Sequence, residues 1–137
     1  MTRAARAYAS GEAIGPALVL SQPLSFWGGI EVETGRIIDH SHPDRGARVT
    51  GTILVMASGR GSSSSASVLA ETIRRRTGPV GIVLATADPI LTVGAIVGQS
   101  LYAIRCPIVV CSIEGILTGD RLQVLANEGA ESLIANL

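Results

Sequence analysis

The chain has 137 residues, 47% of them apolar and 3% aromatic, enough for one compact domain with a core and too few for two ordinary ones. Eleven basic residues balance eleven acidic ones, and without net positive charge or aromatic stacking platforms nucleic-acid binding is excluded. Every basic residue is an arginine, so lysine Schiff-base chemistry and a Walker-type phosphate loop are excluded too.

Glycine and proline punctuate the first half from Gly11 to Gly51, leaving room only for short strands. The pattern predicts strands at Ala5–Tyr8, Ala17–Leu20, Glu31–Glu33, Arg36–Asp39 and Thr52–Met56. The last is a β-branched, apolar run suited to a buried strand. Ser62–Arg76 is then the clearest helix. Ala66, Leu69, Ala70 and Ile73 share one face, and Arg74, Arg75 and Arg76 complement the negative end of its dipole. A strand at Gly81–Leu84, a helix at Val93–Ile104 and a strand at Pro107–Cys111 predict a crossover unit with parallel pairing. Two strands, Arg121–Ala126 and Ser132–Ile134, follow around a turn at Asn127 to Gly129. A layered β/α domain with an antiparallel portion is the simplest assembly of these parts.

Cys106 and Cys111 flank the apolar run Ile108-Val109-Val110 and read as small core residues, since two thiolates alone cannot complete a tetrahedral metal site. No apolar run approaches a membrane span, and the N-terminus lacks the charged-then-apolar order of a signal peptide, so a cytoplasmic location is expected.

Three constellations bear chemistry. Gly59-Arg60-Gly61-Ser62-Ser63-Ser64-Ser65-Ala66-Ser67 lies between the predicted buried strand and the best helix. Glycine turns, hydroxyls and a helix-opening N–H array suit a carboxylate or phosphate, while plain helix capping by one serine is the alternative. A dinucleotide fingerprint is incomplete, with Ser64 where its third glycine belongs. Pro23-Leu24-Ser25-Phe26-Trp27-Gly28-Gly29 holds the only Phe and the only Trp, rings that shape a pocket wall or plug the core. Asp39-His40-Ser41-His42-Pro43-Asp44 gathers both histidines. Pro43 forces an extended or turned backbone and a third nitrogen or sulfur ligand is lacking, which favours a solvated loop or a substrate-facing histidine over a metal site.

Taken together and in order, Ser25-Phe26-Trp27-Gly28-Gly29, Thr34-Gly35 with Ile38-Asp39, His42-Pro43, Gly59-Arg60-Gly61-Ser62-Ser63, Leu69-Ala70-Glu71 and Gly94-Ala95-Ile96-Val97 resemble the small subunit, or swivel-domain portion, of the aconitase X family. The resemblance implies an α/β fold, a mobile β/β/α swivel domain spanning residues 1–137 with mixed strands and two main helices. This domain closes over a large catalytic subunit that carries an iron or iron-sulfur centre. No cofactor or metal is expected on this chain.

The implied activity is a hydro-lyase, active only with the large subunit, that removes water from a small anionic hydroxy acid. That substrate is cis-3-hydroxy-L-proline or, as the alternative, 5-phosphomevalonate. By similarity to the superfamily's Gly-x-Gly-Ser-Ser motif, Ser62 is the expected catalytic base. Arg60, Gly61, Ser63, Ser64, Ser25, Trp27, Gly28 and Gly29 are the expected substrate-binding residues. Ordinary aconitases carry an arginine after the two serines; Ser64 stands here, which argues against tricarboxylate substrates.

An apolar docking face, edged by Phe26, Trp27, Gly28 and Gly29, accompanies the subunit reading. From a different class, a non-catalytic module binding a small anion is the other expectation.

Overall fold

The computed structural model describes residues 2–128 and 131–137. The chain opens with two long strands, β1 (Thr2–Ala9) and β2 (Gly11–Val19), each alternating between more and less exposed positions as a strand with one buried face must. A single irregular turn, α1 (Phe26–Gly29), and a two-residue hairpin, β3 (Ile30–Glu31) and β4 (Arg36–Ile37), follow. Then come β5 (Ile53–Met56), α2 (Ser65–Arg75), β6 (Gly81–Leu84), α3 (Pro89–Tyr102), β7 (Ile108–Val110), β8 (Arg121–Ala126) and β9 (Ser132–Asn136).

Seven strands close into a barrel in the order β1-β7-β6-β5-β2-β8-β9. β2, β5, β6 and β7 run parallel, while β1, β8 and β9 join them by antiparallel pairing. The expected parallel crossover is present at β6–α3–β7, and β5–α2–β6 repeats it. The parallel and antiparallel portions are therefore not separate layers. They share β1 and β2, two strands long enough to pair on both sides.

β5 and β6 are buried on both faces, as the sheet requires where helices cover its outside. Ile53, Val55 and Val83 point into the barrel with Val109, Leu122, Val124 and Ile134. Leu54, Met56, Ile82 and Leu84 point outward to Leu69, Ile73, Leu91 and Ala95 of the helices and to Phe26. At about 25 cal/mol per Å2 of apolar surface, these two clusters supply the main stabilisation.

Several boundaries differ from the sequence pattern. α2 begins at Ser65 rather than Ser62, because residues 62–64 form a separate turn, with Ser65 N–H bonded to the Ser62 carbonyl at 3.0 Å. α3 begins four residues before the predicted Val93. Asp88 caps it, its carboxylate accepting from Ile90 and Leu91 N–H at 2.8 and 3.2 Å, and Pro89 fills the first position, where no N–H is needed. β3 and β4 are shorter than predicted because Thr34 and Gly35 tie the hairpin turn back to Glu31. The expected turn at Asn127 to Gly129 ends on Gly129, outside the described residues. Cys106 is fully buried, which pushes its thiol up to about 12, and Cys111 is raised for the same reason. Cys106 is thus the core residue expected, whereas Cys111 is half-buried at the edge of the core inside the barrel.

Candidate functional site

Because β2, β5, β6 and β7 are parallel, the segments leaving their C-terminal ends gather at one rim of the barrel. Leu20–Ser25 leaves β2, the serine loop 57–64 leaves β5, and Ala85–Asp88 leaves β6. Clefts at that edge are where parallel sheets place their chemistry. Thr86 N–H bonds the Ala57 carbonyl at 2.9 Å, and Leu20 N–H bonds the Val55 carbonyl at 2.8 Å, locking the three segments together.

The serine loop is shaped by two close approaches. A Cβ at Gly59 would collide with the Asp88 carboxylate, and one at Gly61, whose φ is +101°, would collide with the Ser25 hydroxyl. Glycine is required at both, so the loop lies flat against the start of α3 on one side and the Ser25 turn on the other. Ser62 is exposed, and its Oγ accepts the Ser64 N–H at 3.1 Å. Ser63 is also exposed, and Ser64 stands at the N-cap of α2 without a side-chain capping bond. Capping therefore does not account for the run of hydroxyls.

The expected array of helix-opening N–H groups is engaged internally. Those of Ser64, Ser65 and Ala66 go to Ser62 Oγ, the Ser62 carbonyl and the Ser63 carbonyl. The hydroxyls of the run and Arg60, itself an exposed residue, are further donors for an anion.

Phe26 and Trp27, adjacent in sequence, part company. Phe26 is fully buried in the core, whereas Trp27 is 58% exposed. This corrects the expectation that both rings edge a docking face: Phe26 cannot contact a partner. Ser65, which the sequence reading passed over, joins the two constellations. Its buried Oγ accepts the Trp27 N–H at 3.0 Å, while Ser25 Oγ donates to the Trp27 carbonyl at 2.9 Å. Gly28 is exposed at φ +78°, and Gly29 is buried against Leu24 with Asp39 beyond it.

The histidine pair separates as well. His40 is exposed and accepts a bond from Arg45 at 2.8 Å. His42 is buried, with Nδ1 accepting the Asp44 N–H at 3.0 Å and Nε2 donating to the Gln22 carbonyl at 3.0 Å. It is thus neither solvated nor substrate-facing but a brace for the chain before Ser25. Asp39 is held below its usual carboxylate range by bonds from the Ser41 hydroxyl and N–H at 2.7 and 2.9 Å, with a smaller contribution from the Arg60 charge. Asp39 and Arg60 therefore present opposite charges beside the loop.

Among the described residues, no group of three or more His, Cys, Asp or Glu is arranged to hold a metal, and no helix is long and apolar enough to cross a membrane. A surface cleft of about 610 Å3 between β1 and Asn127, Glu128 and Glu131 contains none of the site residues. The groove that adjoins the serine loop is smaller, about 210 Å3, and apolar, lined by Ser63, Ala66, Pro89, Ile90 and Val93.

Residues 2–133 match the family described as the aconitase X swivel domain. The chain belongs to that family. The aconitase X resemblance of its motifs and the α/β swivel fold that it implied both stand. The crystal structure of Thermococcus kodakaraensis aconitase X in its holo-form superposes with a TM-score of 0.88 at 30% identity, covering 100% of this chain and 98% of that one. A cis-3-hydroxy-L-proline dehydratase of Hypocrea jecorina is 37% identical over 78% of this chain, which spans only 18% of that relative. The phosphomevalonate dehydratase small subunit of Methanopyrus kandleri is 48% identical over 60% of this chain and 61% of its own length. The aconitase X relatives therefore divide between two substrates.

Proposed function

We propose that the chain is one swivel domain over residues 1–137, the small subunit of an aconitase X-type hydro-lyase, and that Ser62 removes the proton from the substrate. The observation that carries this is the position of Ser62. Its hydroxyl is exposed at the rim where the parallel strands end, and its oxygen already receives the Ser64 N–H.

A serine hydroxyl is a weak base, and it acts only where its alkoxide is stabilised. The Ser64 N–H, the start of α2 three residues on, and the Arg60 guanidinium are the stabilising groups at hand. Ser62 as alkoxide takes the proton from the carbon beside the substrate carboxylate. That electron pair forms the carbon–carbon double bond as hydroxide departs from the neighbouring carbon and takes a proton from solvent to become water, and Ser62 returns the abstracted proton to solvent to restore its alkoxide. Ser63 and Ser64 supply hydroxyl donors to the carboxylate, Arg60 its countercharge, and Ser25, Trp27 and Gly28 the surface beside them, while Gly29, buried, acts only through the backbone turn.

On this reading the iron or iron-sulfur centre expected for the family is carried by the large subunit; among the described residues of this chain no group of three or more His, Cys, Asp or Glu is arranged to hold a metal. The reading also takes the subunit to be cytoplasmic, in keeping with its two unlinked cysteines.

The substrate reading favoured here is cis-3-hydroxy-L-proline. Arg60 is the only basic residue in the loop, a single countercharge suited to one carboxylate. A phosphorylated substrate would demand more positive charge. The phosphomevalonate reading is favoured instead by the 48% identity to the Methanopyrus kandleri protein. Assaying the assembled two-chain enzyme on both compounds side by side decides between them. Turnover of neither, with an intact complex, overturns the hydro-lyase assignment, and anion binding by the isolated chain in calorimetry then supports the non-catalytic module.

A further inference from the structure

The outward face of α3 has no partner. Val93, Ile96 and Leu101 are 51%, 50% and 66% exposed, with Pro89, Val97 and Tyr102 also exposed. From Pro89 to Ile104 there is not one Asp, Glu, Lys or Arg. A helix that covers a sheet and faces water normally carries its polar residues outward, as α2 does with Glu71, Arg74 and Arg75. A continuous uncharged strip of this kind marks a surface that is covered in the working assembly.

We infer that this face of α3 is the seat on which the large catalytic subunit docks, through an apolar, uncharged patch of its own. The inference rests on the subunit reading above and adds to it where the contact is made. Two observations select this occupant. The strip is continuous with the serine loop, because Ser63 and Ala66 share one groove with Pro89, Ile90 and Val93. A body that receives Ser62 must cover that groove and the strip beyond it. In the Hypocrea jecorina relative the matching region is only 18% of the polypeptide, so there the equivalent domain is attached to a far larger body.

The test uses the full-length chain and the aconitase X large subunit from the same organism, with affinity measured by titration. Val93→Glu and Leu101→Glu each place an unpaired charge on the strip, at its two ends. Both positions are more than half exposed, so the variants fold, as circular dichroism checks. Each is expected to weaken the complex by about tenfold or more, because burying a lone charge is costly. Arg75→Ala on the polar face of α2 leaves affinity unchanged. Equal affinity of wild type and both α3 variants overturns the seat while leaving the subunit reading intact. Failure of the wild-type chain to bind overturns both. Dimerisation of the isolated chain that Val93→Glu abolishes assigns the face to a second copy and overturns the proposal.

Discussion

α2 and α3 pack side by side on the same outer face of the barrel, yet they are built by opposite rules. α2 is amphipathic, with Leu69 and Ile73 buried inward and Glu71 bridging Arg74 and Arg75 on the outside at 2.8 and 2.9 Å. Burial inward and charge outward complete it as a surface helix. α3 is apolar inward and outward alike, so nothing within the described residues completes it. On the proposed reading, the difference divides chemistry and assembly between neighbouring helices. The hydroxyl-rich start of α2 presents reactive groups, and α3 presents a surface to be covered. Asp88 and Gly59 couple the two where their N-termini meet.

The largest effect that separates the two roles is expected from Ser62→Ala. If α2 supplies chemistry and not docking, turnover by the assembled enzyme falls by about 10²–10⁴-fold while affinity for the large subunit is unchanged. Steady-state rates and titration on the same preparation read both. Undiminished turnover would remove Ser62 from the mechanism.

The contact between the helices can be probed at Gly94, where an added Cβ would lie 2.7 Å from the Ala66 carbonyl oxygen and 3.2 Å from Leu69 Cβ. Alanine is the better helix former by about 1 kcal/mol, but overpacking against a backbone atom costs about 1–3 kcal/mol. Gly94→Ala is therefore expected to lower the unfolding free energy read by urea titration by a net of up to about 2 kcal/mol. A more stable variant would show that the helices separate easily and that the serine loop is not fixed by α3.

The serine loop was legible in the sequence because its signal is local: glycine, arginine and serine in a fixed order between a β-branched run and a periodic helix. The parallel crossovers were legible for the same reason. The barrel was not, since its closing pairs join residues such as Thr2 with Ala135 and Gly11 with Ala126, and no short-range pattern encodes them. The fate of Phe26 and Trp27 was also hidden, because which neighbouring ring turns inward depends on Ser65, thirty-eight residues from Trp27. His42 escaped in the same way, its partner being the Gln22 carbonyl. The start of α3 was different: Asp88-Pro89 is a local capping signal, and the apolar run beyond it drew attention away.

That capping signal gives a smaller test of how far the two helices share their N-termini. Asp88→Ala removes the acceptor for two α3 N–H groups and is expected to cost about 1 kcal/mol in the urea midpoint. Because Asp88 also presses on Gly59, the variant should change the emission of Trp27, the only tryptophan, if the rim segments move as one. Unchanged emission with lowered stability would confine Asp88 to capping α3.

The smallest effect concerns charge alone, and it belongs to α2 because α3 has no group that titrates in acid. Hydrogen bonds from Arg74 and Arg75 hold the Glu71 carboxyl down at about 2, against an ordinary value of 4.5. The folded state thus keeps the proton off more strongly than the unfolded chain does. The resulting stabilisation is fully present above pH 4.5 and is lost as pH falls through about 2. Glu71 lies on the surface, so the contribution is small and salt screens it. Urea midpoints of wild type and Glu71→Gln should differ slightly at neutral pH and converge near pH 2, and added salt should narrow the gap. A gap that salt leaves untouched would mean that Glu71 acts through packing, and the outer face of α2 would then resemble that of α3 more than its charges suggest.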